Sequence, residues 1–145
     1  MTHVTFYLLQ APEPEARLRF ACRLARKASG QGHHVHIHTG SAELTRTLDQ
    51  WLWTFEDTAF LPHSTDVRDA DAPVSLHESD SPDARCDVLI NLAAEVPEFC
   101  GRFERVADVV GGDEAGREAG RARYRYFRER GYPLDHHSID QGKAG

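Results

Sequence analysis

Asp87-Val88-Leu89-Ile90-Asn91-Leu92 is the most hydrophobic strand-like run of the sequence. A run apolar at successive positions suits a strand covered on both faces, which places it centrally in a parallel sheet. Upstream of it, Val74 to His77 reads as a weaker strand. Further back, His34 to His38 alternates histidine with Val35 and Ile37, the period-two pattern of a strand. Val4-Thr5-Phe6-Tyr7-Leu8-Leu9 is β-branched and aromatic, is closed by the turn-rich residues 10–15, and reads as the first strand. Downstream, Arg105 to Val110 reads as the last.

Helical stripes fall between these runs. Leu18, Ala21, Cys22, Ala25 and Ala28 recur at helical spacing until Gly30 and Gly32 stop them. Ser41 suits the N-cap of a second helix, with Leu44, Leu48, Trp51, Leu52 and Phe55 on one side. A short helix is expected around Pro97 to Phe103. Gly111-Gly112 then breaks the last strand, Asp113 can cap, and an arginine-rich helix runs to Gly131. The alternation predicts an α/β fold, a three-layer α/β/α Rossmann-like sandwich around a mostly parallel sheet. One domain is expected over residues 1–140, with a polar tail from Leu134 that frays over 141–145.

With 145 residues, 40% of them hydrophobic and 28% charged, the chain has the composition of a soluble globular domain. No apolar run approaches the roughly 20 residues that span a bilayer. The start, Met1-Thr2-His3-Val4, lacks an export signal. Cys22, Cys86 and Cys100 form no CxxC pair and read as reduced thiols, at least two of them small core residues. A cytoplasmic protein is expected.

Most enzymatic chemistry is missing. The first strand-to-helix turn is Gln10-Ala11-Pro12-Glu13-Pro14-Glu15, whose acids repel phosphate and whose prolines remove amide donors. No GxxxxGK[ST] and no GxSxG occurs. His34, His36 and His38 would share one face of a strand. Residues two apart there lie about 6.8 Å from each other, awkward for one ion about 2.0–2.1 Å from each nitrogen. The plainer reading exposes the histidines and packs Val35 and Ile37 inward. Carboxylate pairs such as Asp69/Asp71 and Asp113/Glu114 suit solvated loops and a helix start. No catalytic residue, cofactor or metal is expected.

Two surfaces remain. Arg117, Arg121, Arg123, Arg125, Arg128 and Arg130 against Glu118 and Glu129 give one stretch a charge of +4. With a net charge of −6, the rest of the chain then carries −10. Tyr124, Tyr126 and Phe127 are interleaved with the arginines. An apolar floor with a cationic rim suits an acidic peptide or a single-stranded nucleic acid. Spacings of four, three and four put Arg117, Arg121, Tyr124 and Arg128 on one side, from which Arg123 and Arg130 diverge. The other surface is the aromatic stretch from Trp51 to His63. Trp53 should point away from the core stripe, with Phe60, Leu61 and Pro62 following in a loop, the pattern of a protein interface.

Together the pieces resemble the chi subunit family of bacterial DNA polymerase III. Thr5-Phe6-Tyr7-Leu8-Leu9 is similar to the family's opening strand. Leu48-Asp49, Leu52-Trp53, Phe60 and Pro62-His63 match its LD…LW…F.PH pattern, and Asp87 to Leu92 its central strand. Phe103-Glu104-Arg105-Val106 and Val109-Val110 fit its last strand. Arg121, Arg123, Tyr124, Arg125, Arg128, Gly131 and Tyr132 fit its RxRYR…R..GY signature. The likeness covers about residues 3 to 137; His33 to His38 and Gly111-Gly112 fall outside the shared pattern.

The resemblance implies a noncatalytic adaptor of the clamp-loader assembly. One partner would be the psi subunit, at Trp53, Phe60, Pro62 and His63. The other would be the acidic C-terminal tail of single-stranded DNA-binding protein, which ends in phenylalanine. Its site would be Val110, Arg117, Arg121 and Tyr124, with Arg128 on the same helix side. A helicase is a further candidate for the psi-facing surface, and strong direct binding of nucleic acid is not expected. The rival readings are a nucleotide- or metal-dependent enzyme on the same fold, and a direct single-stranded DNA binder.

Overall fold

A computed structural model of the protein describes residues 1–55, 61–82 and 86–140. Among these, seven strands form one sheet: β1 (His3–Leu9), β2 (Val35–His38), β3 (His63–Ser64), β4 (Val74–His77), β5 (Val88–Asn91), β6 (Arg105–Val110) and β7 (Leu134–Ile139). Three α-helices, α1 (Pro14–Gly30), α2 (Ala42–Thr54) and α3 (Glu114–Glu129), cover it together with a 3-10 turn at Glu98–Arg102. The strand order is β3-β4-β2-β5-β6-β1-β7, and every neighbouring pair is parallel. The apolar run that begins at Val88 is the middle strand of the seven.

Parallel neighbours need right-handed crossovers, so the direction of travel along the sheet selects the face. From β1 the chain moves through α1 and α2 toward the β3 edge, then returns through the 3-10 turn and α3 toward β7. The two cores follow from that path. Val35, Ile37, Val74, Leu76, Val88 and Ile90 pack against Ala21, Cys22, Ala25, Leu48 and Leu52 of α1 and α2. On the opposite face Val4, Phe6, Leu89, Val106 and Val110 meet Phe127 of α3, and Cys100 and Phe103 beside the 3-10 turn. Ser41 does cap α2, its hydroxyl accepting from the Leu44 N–H at 3.0 Å.

Two features differ from the sequence expectation. The sheet does not end at β6: residues 134–139 pair in parallel with β1 as an edge strand. Only Leu134 and Ile139 of β7 are partly covered, so its polar residues show no inside–outside alternation. Backbone pairing with an already buried neighbour makes it a strand. The polar stretch after Pro62 also contains the two-residue edge strand β3. Residues 141–145, expected to fray, lie outside the described residues.

Candidate functional site

Where β1, β6 and β7 meet α3, a cleft of about 410 Å³ opens. Val110, buried at the end of β6, forms its floor with Phe6 and Leu8 of β1. Gly120 lets α3 descend onto that floor, because a Cβ there would stand 2.7 Å from Val110 Cγ1. Tyr124 stands edge-on to Phe6 with ring centroids 5.2 Å apart, and Phe127 anchors the helix from beneath, edge-on to the same ring at 6.0 Å. Burying a phenylalanine such as Phe127 contributes about 1.5–3 kcal/mol. Arg117 and Arg121 are exposed at the cleft's rim, and neither forms an ion pair among the described residues. His136 and Ser138 of β7 supply the opposite wall.

Val110, Arg117, Arg121 and Tyr124 are thus brought together around one cleft. Arg128, exposed near the end of α3, does not line it. Arg130 turns back along the helix, with its guanidinium 3.6 Å from the centre of the Tyr126 ring and a hydrogen bond to the Tyr126 carbonyl. Sequence reasoning did not find His136 and Ser138, because β7 itself was not legible. An apolar trough rimmed by two guanidinium groups without ion-pair partners among the described residues suits an aromatic or aliphatic group carried next to a carboxylate.

Arg123 has a different role. It shares the inward stripe of α3 with Gly120 and Phe127 and is 5% exposed. Its Nε donates to Asp108 Oδ2 at 2.9 Å and its Nη2 to Oδ1 at 3.0 Å, while Nη1 donates to the Ala94 carbonyl at 3.1 Å. Asn91 Nδ2 donates to the same carboxylate at 3.3 Å. Burial pushes the Asp108 carboxyl up, and the Arg123 charge opposes that shift. The pair fixes α3 over β5 and β6. Its trace in the sequence was an aspartate inside an otherwise apolar strand, opposite an arginine at a core position.

The nucleotide position of such folds is the crevice at the switch point between β1 and β6, whose following helices leave to opposite faces. Here the two loops are in contact: a Cβ on Gly112 would lie 2.4 Å from the Ala11 carbonyl oxygen. Beside them Arg17 donates to the carbonyls of Leu92 and Val109 at 2.9 and 3.1 Å. Burial lowers its pKa, the nearby Arg123 adding to the effect. Gly111-Gly112 therefore serves loop closure.

The histidine strand is buried on both faces, which corrects the exposed reading. His36 is 0% and His38 8% exposed. Both turn toward the 3-10 side, where Phe99 and Phe103 cover them; His36 stacks on Phe103 at 6.5 Å and shares a hydrogen bond with Ser75 Oγ at 2.7 Å. Burial drives the His36 pKa down to about 3, with His38 and His77 adding to it. Among the described residues no cluster of three metal-ligating side chains occurs.

At the other surface Trp53, 46% exposed, lies on the His63 ring with centroids 4.7 Å apart. The His63 side chain is 1% exposed; its Nε2 meets Asp49 Oδ1 at 2.9 Å and its Nδ1 the Leu61 carbonyl at 2.6 Å. It supports Trp53 from below and offers little surface of its own. Pro62 is exposed beside it, and Phe60 lies outside the described residues.

The sequence matches the family described as DNA polymerase III chi subunit, HolC, over residues 1–135. The chain belongs to that family. The DNA polymerase III subunit chi of Pseudomonas aeruginosa is 45% identical over 139 residues, covering 96% of this chain and 98% of that one. The subunits of the same name from Haemophilus influenzae and Escherichia coli are 28% and 27% identical, covering 92% and 93% of this chain and 95% and 97% of theirs. Membership places the chain among the accessory subunits of the replicative polymerase. The chi match takes in Trp53 and the whole of α3 but stops one residue short of His136, so the β7 wall of the cleft lies beyond it. No helix among the described residues is long and apolar enough to cross a membrane.

Proposed function

We propose that this chi-family chain is a noncatalytic adaptor. It grips the acidic, phenylalanine-terminated tail of single-stranded DNA-binding protein in the α3 cleft and meets a psi-type subunit at Trp53. One observation carries the first half: an apolar trough floored by Val110 and Phe6 is rimmed by Arg117 and Arg121, neither of which forms an ion pair among the described residues. The terminal ring fills the trough while the arginines receive its carboxylate and the preceding acidic residues. Trp53 supports the second half, since a half-exposed tryptophan held by a buried histidine is the kind of rigid aromatic anchor that dominates interfaces.

Calorimetric titration with an acidic peptide ending in Asp-Ile-Pro-Phe tests the tail site. Saturable binding is expected, and it should be lost when the terminal phenylalanine is replaced by alanine. Affinity for single-stranded DNA without the peptide, falling steeply with salt, would point instead to direct binding by the arginine helix.

A further inference from the structure

A second cavity, of about 520 Å³, lies at the C-terminal ends of β4, β2 and β5. This is the end of a parallel sheet at which such folds bind ligands. Its ionisable lining consists of His38, Glu78, Glu95 and Glu98, with Pro97 and the Phe99 ring among its apolar walls. Among the described residues no lysine or arginine lines it. Arg123 reaches the Ala94 carbonyl from the neighbouring crevice, and its charge is matched by Asp108.

Three glutamates alone would be an ordinary solvated rim. The distinguishing observation is His38, which lines the cavity, is 8% exposed and has a buried Nδ1 with no hydrogen-bond partner among the described residues. Its neighbours do not explain it. His77, the residue paired with it on β4, uses Nδ1 to accept from the Ser79 and Asp80 N–H groups, and Phe99 offers only a perpendicular aromatic ring with centroids 5.5 Å apart. Burial and the nearby His77 keep His38 neutral, and a neutral imidazole retains one acceptor nitrogen. Every ionisable group of the cavity can therefore accept a hydrogen bond beside an aromatic ring, His38 through one of its two ring nitrogens. That set selects a cation which is also a multiple donor and flat enough to lie on a ring, and guanidinium has all three properties.

We propose that the cavity is a guanidinium-binding site, with His38 and the carboxylates of Glu78 and Glu98 accepting its N–H groups beside Phe99. The test is titration of the whole chain with L-arginine amide, followed by NMR at the His38 ring nitrogens and the Ala93 and Ala94 amides. Saturable shifts are expected, with L-lysine amide binding more weakly because one ammonium cannot reach several acceptors at once. Glu95→Gln/Glu98→Gln, both at exposed positions, should weaken the interaction at least about tenfold while leaving the acidic-peptide titration unchanged. A second variant, Glu78→Gln, should act in the same direction with Thr45 still donating to position 78. Agmatine and a capped Gly-Arg-Gly peptide separate the sources: tighter peptide binding assigns the group to a partner chain, and tighter agmatine binding to a free metabolite. Shifts no larger than those from sodium chloride at equal ionic strength would overturn the site. So would undiminished binding in both glutamate variants.

Discussion

The same face of the sheet is covered in two different ways. Over β6, β1 and β7 lies the sixteen-residue helix α3, which buries phenylalanine, closes on Val110 through Gly120 and fastens itself with the Asp108–Arg123 pair. Over β2 and β4 the cover is a five-residue 3-10 turn, and histidines stacked on Phe99 and Phe103 fill the space. The long cover leaves its charged side free to form a cationic rim. The short one leaves polar groups inside, two of them unpartnered nitrogens on His36 and His38. Both covers bury polar groups, but the long one matches Asp108 to Arg123, whereas the short one leaves these two histidine nitrogens unmatched among the described residues.

The largest effect should come from the fastening of α3. Arg123→Ala leaves a fully buried carboxylate with Asn91 as its remaining side-chain donor. Breaking a buried pair in this way costs about 3–5 kcal/mol, readable by urea unfolding. An Arg123→Met/Asp108→Leu double substitution should recover much of that loss, since the desolvated charges are removed together. A single variant of wild-type stability would mean that α3 is held by its apolar contacts alone, and the contrast between the two covers would shrink to one of length.

Next in size is the rim. Arg121→Ala should weaken acidic-peptide binding by about 2–5 kcal/mol, the range for truncating one member of a desolvated charge pair, whereas Arg130→Ala should mainly alter salt dependence. Arg130 is held on Tyr126, and Arg128 lies away from the cleft lining. Unfolding of Arg121→Ala should stay within about 0.5 kcal/mol of wild type, as for most surface substitutions. Equal affinity losses from Arg121 and Arg130 would reduce the cleft to diffuse electrostatics.

Legibility in the sequence followed the same division. Apolar runs such as Val4 to Leu9 and Asp87 to Leu92, and the helical stripe of α1, marked their own elements because burial writes its pattern into the chain. β7 wrote none: it is an edge strand held by backbone pairing to β1, and its Asp135, His136, His137 and Ser138 are exposed. The cleft's β7 wall was invisible for that reason, whereas its α3 side was visible as spacing. The histidine strand showed the correct alternation but not its burial, since no local pattern reports that a crossover far along the chain supplies Phe99 and Phe103 as a lid. Arg123 was the hardest case. Among six arginines, charge alone gave no means of separating the one that turns inward.

The histidine half predicts a pH response. His36 ionises at about 3 in the folded chain and at about 6.5 when unfolded. The unfolded state therefore takes up its proton first as pH falls. The stabilising contribution is complete above about 6.5 and declines toward 3, with a slope approaching about 1.4 kcal/mol per pH unit. Urea unfolding of His36→Leu between about pH 6 and pH 4 should show a slope shallower by most of that amount. An unchanged slope would locate the acid sensitivity elsewhere and detach it from the short cover.

The smallest expected effect concerns the two proposed partner surfaces. Trp53 follows the β2 side of the sheet on α2, beside β3, whereas the cleft lies under α3 beside β7. β3 and β7 are the opposite edges of seven strands, so at about 4.8 Å per interval they stand roughly 29 Å apart. α2 and α3 also pack on opposite faces of the sheet. Between them lies a close-packed parallel sheet, and coupling over such a distance requires an element with two discrete arrangements for both ligands to bias. The described residues offer no such element in the path: β5, β6 and β1 are paired along their lengths and covered by apolar contacts on both sides. Titrating the acidic peptide with and without a saturating psi-type partner should therefore change its affinity by less than about fivefold, or about 1 kcal/mol, below the range typical of allosteric proteins. A larger change would show that binding at Trp53 reshapes the α3 cleft across the sheet, and the adaptor would then act as a switch.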